Sequence, residues 1–421
     1  MNITLAIISL TCLFFAVGIG FTRKVNTGIL CIGFAFVIGK IAGLKESAII
    51  GGWNTSLFIM LLGITLLFSI TQQNGTLDLL SRKILARSSK ISWSLPFVLY
   101  LLALVFSAFS SPIPVMAVLI SLGMVLSKEL NISPFLLAVM PTLGSSAGGI
   151  SPISTTGIVV HTLMGAQGFS GFGIDFLMNG IIINSLFAVI VFFVFKGHKI
   201  RITEEFWKKE IPMFNKKQTI TIVVILALVV LDIIFGLNIG LMAFVGVGIL
   251  MSLKVGEEKE CFFLVPWGTL IMICGVGVLM NVIFMLGGVK ILSEFLSIFM
   301  TKNTAPAVLA LTGGIMSWFS STVGVVIPTL IPTVSDLINN VQGTDPTELI
   351  SAIVNTAHVA GLSPISTAGG LALASYTVTR PDLSAGERNN FFVSIFLISF
   401  SAVVFYSLLA GLGIYRIIYI W

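Results

Sequence analysis

The sequence predicts an all-α polytopic membrane protein, with ten transmembrane spans and two re-entrant helical hairpins arranged as two inverted-topology repeats. Three observations carry that expectation. The 421 residues are 56% hydrophobic and only 10% charged, whereas a soluble chain carries charge at roughly a quarter of its positions. Apolar runs of about 20 residues, the length that crosses a bilayer, recur from end to end. The pentapeptide SPIST occurs twice, at 151–155 and 363–367, each time inside an apolar tract.

Uninterrupted spans are expected at 3–21, 28–44, 53–73, 176–196, 218–236, 238–255, 266–286 and 391–415. The first has no basic n-region and no small-residue cleavage site, so it reads as a retained helix rather than a signal peptide. Two further spans, 134–164 and 347–378, contain the SPIST breaks. Two apolar regions, 94–127 and 304–340, are interrupted midway by FSSPIP and FSSTVG and read as hairpins that return to their own side.

The basic residues orient this map. Segment 196–217 carries seven Lys and Arg, and placing it in the cytoplasm puts Arg23, Lys24, Arg82, Lys83, Arg87, Lys90, Lys128, Lys254, Lys259, Arg380 and Arg388 there too. Only Lys40, Lys45, Lys290, Lys302 and Arg416 then face outward. This is the positive-inside pattern of a multi-pass protein of the cell (inner) membrane, with both termini extracytoplasmic. Topology therefore accounts for the +6 net charge.

The two halves echo each other. Trp53 matches Trp267, Gly63 matches Gly277, Pro96 matches Pro306, and the FSS and SPIST motifs recur in the same order at offsets of 210 to 214. The first repeat occupies 1–196, a basic cytoplasmic linker 197–217, and the second repeat 218–421. Each half is read as three spans, a hairpin, a broken span and a final span. Five crossings per half invert the second copy, and inverted repeats with paired discontinuous helices mark a secondary transporter with a midplane site.

Non-helical backbone at membrane depth is tolerated where it is buried in protein or lines a cavity. Ser caps a helix well and Pro suits its first turn, so Ser111-Pro112, Ser151-Pro152 and Ser363-Pro364 each fit the start of a half-helix. The free amides there receive an anion, and the free carbonyls with nearby hydroxyls offer the oxygens a hard cation prefers. The bland alternative, helix kinks that serve packing only, suits one isolated break better than two matched pairs. Candidate substrate contacts are Ser110, Ser111, Ser154, Thr155, Ser320, Ser321, Thr322, Ser366 and Thr367.

Titratable groups at membrane depth are scarce. Asp232 lies near the end of a span and reads as interfacial. His358, on one helix face with Asn355, is a candidate anion contact or proton carrier; a packing role is as good a reading for it, and a better one for His161. No nucleophile–base set, HExxH or P-loop is present, so no catalytic residue is expected. Cys12, Cys31, Cys261 and Cys274 show no paired spacing, so no disulfide framework or zinc site is indicated.

With these motifs in hand, the chain resembles the ion transporter superfamily, most closely the divalent anion/sodium symporters and the MatC-type malonate and dicarboxylate carriers. GWNTSLFIMLLG and PWGTLIMICG open the third spans, FSS marks the hairpin tips, and GGISPIST and AGLSPIST fill the broken spans. The resemblance implies that the tips hold substrate carboxylates and, with the broken-span loops, two sodium ions. By position, Ser111, Gly149, Ser151, Ser321, Gly361 and Ser363 would be the sodium residues. It also implies a homodimer of elevator type, with sodium as coupling ion and no organic cofactor. The tips read Ser where the symporters usually have Asn, and the loops read Pro-Ile-Ser-Thr, so the dicarboxylate preference is the weakest part of the likeness. Proton coupling or exchange is the next reading, followed by a sodium/proton antiporter or a channel.

Overall fold

The helices stop where Ser, Gly and Pro interrupt the apolar runs. The computed structural model describes residues 3–87, 92–169, 173–201, 212–235, 239–380 and 382–417. Linker residues 202–211, Lys90 and the side chains of Arg87 and Asp232 lie outside the described residues.

In the first half, α1 (Ile3–Arg23), α2 (Thr27–Ile41), a short α3 (Glu46–Ile50) and α4 (Thr55–Gln73) precede α5 (Thr76–Arg87). Then come α6 (Leu95–Ala108), α7 (Pro112–Glu129), α8 (Pro134–Gly148), α9 (Thr155–Ala166) and α10 (Gly173–Val194). The second half runs through α11 (Lys216–Phe235), α12 (Ile239–Ser252), α13 (Glu258–Leu264), α14 (Trp267–Met285) and α15 (Gly288–Ser297). It continues with α16 (Ala305–Phe319), a segmented arm, α19 (Pro346–Ala360), α20 (Thr367–Thr379) and α21 (Ala385–Gly411). The chain thus breaks at 109–111, 149–154, 320–321 and 361–366.

The returning arm of the second hairpin differs from α7. It is a π-turn (Thr322–Val326), then α17 (Ile327–Leu330), a 3-10 turn (Ile331–Thr333) and α18 (Val334–Asn340). Pro328 and Pro332 explain the segmentation. Each removes an amide from the ladder and crowds the carbonyl four residues back, and the wider π register absorbs the misfit. Short helices α5 and α15 were unexpected; α15 buries Val289, Leu292 and Leu296 at helical spacing.

Seven described stretches are long and apolar enough to cross a bilayer: Ile3–Gly20, Glu46–Gln73, Pro112–Glu129, Gly173–Val194, Trp267–Met285, Thr322–Asn340 and Gly386–Gly411. Two of them, Pro112–Glu129 and Thr322–Asn340, are expected hairpin arms. Large apolar side chains such as Phe14, Phe15, Phe193, Leu397 and Leu408 are exposed, as lipid-facing residues are.

Packing pairs the halves. α2 lies on α14 and α4 on α12, while α6 packs on α8 and α16 on α19. α6 and α8 come close because Gly144 and Gly148 are spaced as small residues at a membrane helix contact. A Cβ on either would collide with the Tyr100 or Leu104 carbonyl oxygen. Each hairpin then reaches the other half. α7 rests on α20, with Ser121 and Ser375 hydroxyls 2.9 Å apart. The 331–333 turn meets α9, where Gln167 donates to the Ile331 carbonyl at 3.0 Å.

Candidate functional site

Both broken-span loops adopt one backbone arrangement. Ser151 N–H donates to the Gly148 carbonyl at 2.9 Å, and Ser363 N–H to the Ala360 carbonyl at 2.9 Å. Gly157 N–H reaches back to the Gly149 carbonyl (3.1 Å), as Gly369 N–H does to Gly361 (3.0 Å). Helix geometry leaves the first-turn amides of α9 and α20 without an intrahelical partner, and the loop carbonyls of Gly149 and Gly361 take up those of Gly157, Ala368 and Gly369. The first-turn amides sit beside the hydroxyls of Thr155 and Thr367.

Each broken span touches its own hairpin. Ser154 Oγ donates 2.7 Å to the Ser110 carbonyl, and Gly149 lies against the Pro112 ring. In the second half Ser317 and Thr322 hydroxyls donate to the Ala357 carbonyl at 2.7 and 3.0 Å. The two broken spans also meet. Nδ1 of His358 is 3.3 Å from the carbonyl oxygen of Ser146. That oxygen only accepts, so Nδ1 carries the proton here and Nε2 is the nitrogen left for other contacts.

These elements close around one cleft of about 720 Å³, its open mouth included. Ser111, Ser321 and Thr322 from the tips, Thr155, Ser366 and Thr367 from the second half-helices, and His358 and Gly361 all line it. Among the described lining residues His358 is the one titratable group, and no Asp, Glu, Lys or Arg is present. Thr65 of α4, Thr156 of α9, and Pro266, Thr269 and Leu270 at the start of α14 complete the wall. Sequence reading missed these. The only sequence signal of the three threonines was a hydroxyl within an apolar helix, which recurs throughout the chain; Pro266 and Leu270 gave none.

The remaining candidates lie just behind the lining. Ser110 and Ser320 turn their hydroxyls back to their own helices, donating to Phe106 (2.8 Å) and Met316 (2.7 Å) carbonyls. Ser154 is occupied with Ser110. Gly149, Ser151 and Ser363 are in the loops, and Ser363 is fully buried. Asn355, expected beside His358, instead bonds Asn184 (3.2 Å) and the Ser351 carbonyl (2.9 Å), a packing role. His161 lies edge-on to Phe176, away from the cleft.

Several buried hydroxyls around the breaks have no hydrogen-bond partner among the described residues: Ser107, Ser145, Ser146, Thr155 and Thr156 in the first half, Thr356 and Ser363 in the second. An unsatisfied buried hydroxyl costs about 1–3 kcal/mol, so a cluster of them calls for an occupant. Neutral oxygens from hydroxyls and carbonyls suit a hard monovalent cation. Among the described residues no group of His, Cys, Asp and Glu could hold a transition metal.

Residues 1–149 match the family described as the N-terminus of the dicarboxylate carrier protein MatC. No curated protein matches the chain. Among solved structures it is similar to the YdaH transporter of Alcanivorax borkumensis, at 13% identity and a TM-score of 0.55, over 88% of this chain and 87% of that one. It is also similar to MtrF of Neisseria gonorrhoeae, described as illuminating a class of antimetabolite efflux pumps, at 13% identity and a TM-score of 0.58, over 89% and 84%. At such identity the likeness is one of fold. The matched family and both neighbours are transporters, not enzymes.

Proposed function

We propose that this chain is a secondary active transporter that carries a small di- or tricarboxylate anion across the cell membrane in symport with sodium. One observation carries the reading. Two hairpin tips and two broken spans converge on a single cleft that offers hydroxyls and helix N-termini without a fixed charge. Helix N-termini and hydroxyls hold carboxylates, and the orphaned hydroxyls behind them supply two cation half-sites. Cation and anion then neutralise each other where the protein supplies neither charge. The match of residues 1–149 to a dicarboxylate carrier family supports the substrate class.

In this reading the hairpins re-enter, the two halves are inverted, and the termini face outward. The cleft lies between the hairpin and broken-span elements on one side and α4 and α14 on the other. That division supports an elevator movement of the first group against the second, within a homodimer. A sodium gradient imposed on proteoliposomes is expected to drive uptake of labelled succinate, malonate or citrate. Uptake indifferent to sodium would remove the coupling.

Ser111→Ala and Ser321→Ala are each expected to raise the sodium concentration for half-maximal uptake by roughly three- to tenfold, the loss of one hydrogen-bond-strength ligand. Ser321 also caps Gly324 N–H at 3.1 Å, so its variant carries a cap loss of about 1 kcal/mol as well. Unchanged sodium activation in both variants would count against the tips as ligands.

Proton coupling is the second reading, favoured by His358 as the titratable residue of the cleft. It predicts that His358→Gln flattens the dependence of uptake on pH. A wild-type pH profile in that variant ends the proton role and leaves sodium.

A further inference from the structure

We infer that the end of α10 binds an anionic phospholipid, with its phosphate in a basic pocket and its acyl chains in the apolar groove beside it. The pocket encloses about 720 Å³, open mouth included, between the turn that precedes α8 and the turn that follows α10. Lys196, Lys199 and Arg201 line it with Asn131 and Ser133, and no carboxylate does among the described residues. None of the three cations makes an ion pair with a described residue. The 15-residue α8 begins at this wall, and Ser133 makes no side-chain cap bond there. A phosphate diester matches such a site, because basic pockets between membrane helices attract anionic head groups.

The second observation is independent of charge. A groove of about 590 Å³ runs between α10 and α21, lined by Phe187, Ile190, Val194, Leu397 and Ile398. Phe195 is a wall of both the groove and the basic pocket, and it packs on Phe135 with ring centroids 5.7 Å apart. Val194 and Leu397 are exposed on the flanks of that groove. An apolar channel that ends at three cations unpaired among the described residues has the shape of an amphiphile with an acidic head. A free phosphate leaves the channel unused, and a second copy of the chain would set like charges against each other.

The test uses the full chain purified in detergent. Phosphatidylglycerol is expected to raise its melting temperature and to remain bound in native mass spectra, while phosphatidylcholine and glycerol 1-phosphate do neither. Lys196→Gln/Lys199→Gln/Arg201→Gln, all exposed positions, should weaken phosphatidylglycerol binding at least about tenfold. Leu397→Trp, which fills the groove without touching the cations, should weaken it as well. The inference is overturned if the triple variant retains phosphatidylglycerol like the wild type. It is overturned too if glycerol 1-phosphate stabilises equally, or if cross-links between Leu397→Cys residues show a second copy seated in the groove. None of these readouts depends on the transported substrate.

Discussion

Ser363→Ala is expected to leave the protein as stable as before, or more so, while raising the sodium requirement for uptake by about ten- to a hundredfold. Its hydroxyl is fully buried and has no hydrogen-bond partner among the described residues. Removing such a group relieves a desolvation cost of about 1–3 kcal/mol. If the hydroxyl is a cation ligand, the same change removes an interaction with a charged group, worth about 1.5–3 kcal/mol, and tenfold follows from each 1.4 kcal/mol. The two effects have opposite signs, which separates a binding role from a packing role. The double variant Ser145→Ala/Ser146→Ala probes the first half in the same way. Melting curves beside sodium titrations of uptake decide the matter; a stable variant with wild-type sodium dependence discards Ser363 as a ligand.

Gly157→Ala and Gly369→Ala are expected to behave in the reverse manner, losing fold and transport together. A Cβ at Gly157 would fall on the Ser151 carbonyl oxygen, and one at Gly369 on the Leu362 and Ser363 carbonyl oxygens. These are backbone atoms of the loop itself, so the loop must open. Overpacking of this kind costs about 1–3 kcal/mol and more where backbone has to move. The same two glycines donate the amide bonds that tie each half-helix to the start of its loop. Gly33→Ala is the control, since open space surrounds its added methyl. Melting temperatures several degrees below the control, with uptake abolished, are the expected outcome. If Gly369→Ala melts and transports like Gly33→Ala, the close backbone approach at the loop does not govern folding or transport.

How much of this was legible beforehand differs between backbone and side chains. The four breaks were readable because Ser-Pro and Gly at membrane depth violate the helical pattern around them. The segmented arm after Ser321 was less so: Pro328 and Pro332 were visible, but the π-turn that accommodates them depends on register. The SPIST copies are identical in sequence, yet Ser366 lines the cleft while Ser154 is spent on the Ser110 carbonyl. That difference is set by how closely each hairpin approaches its loop, which no local spacing encodes. Thr65 and Thr269 were illegible for a related reason, since only the packing of α4 and α14 against the core brings them to the wall.

The lack of a fixed charge in the cleft has an electrical consequence. While His358 is neutral, the described lining of the cleft carries no ionised side chain, so under the proposed elevator movement a membrane voltage acts there through the cargo alone. Each elementary charge translocated gains or loses about 2.3 kcal/mol per 100 mV. The return of the empty carrier should then be insensitive to voltage, and the loaded step should respond in proportion to sodium charge minus anion charge. A current–voltage measurement would count that difference and, for an anion of known charge, give the stoichiometry.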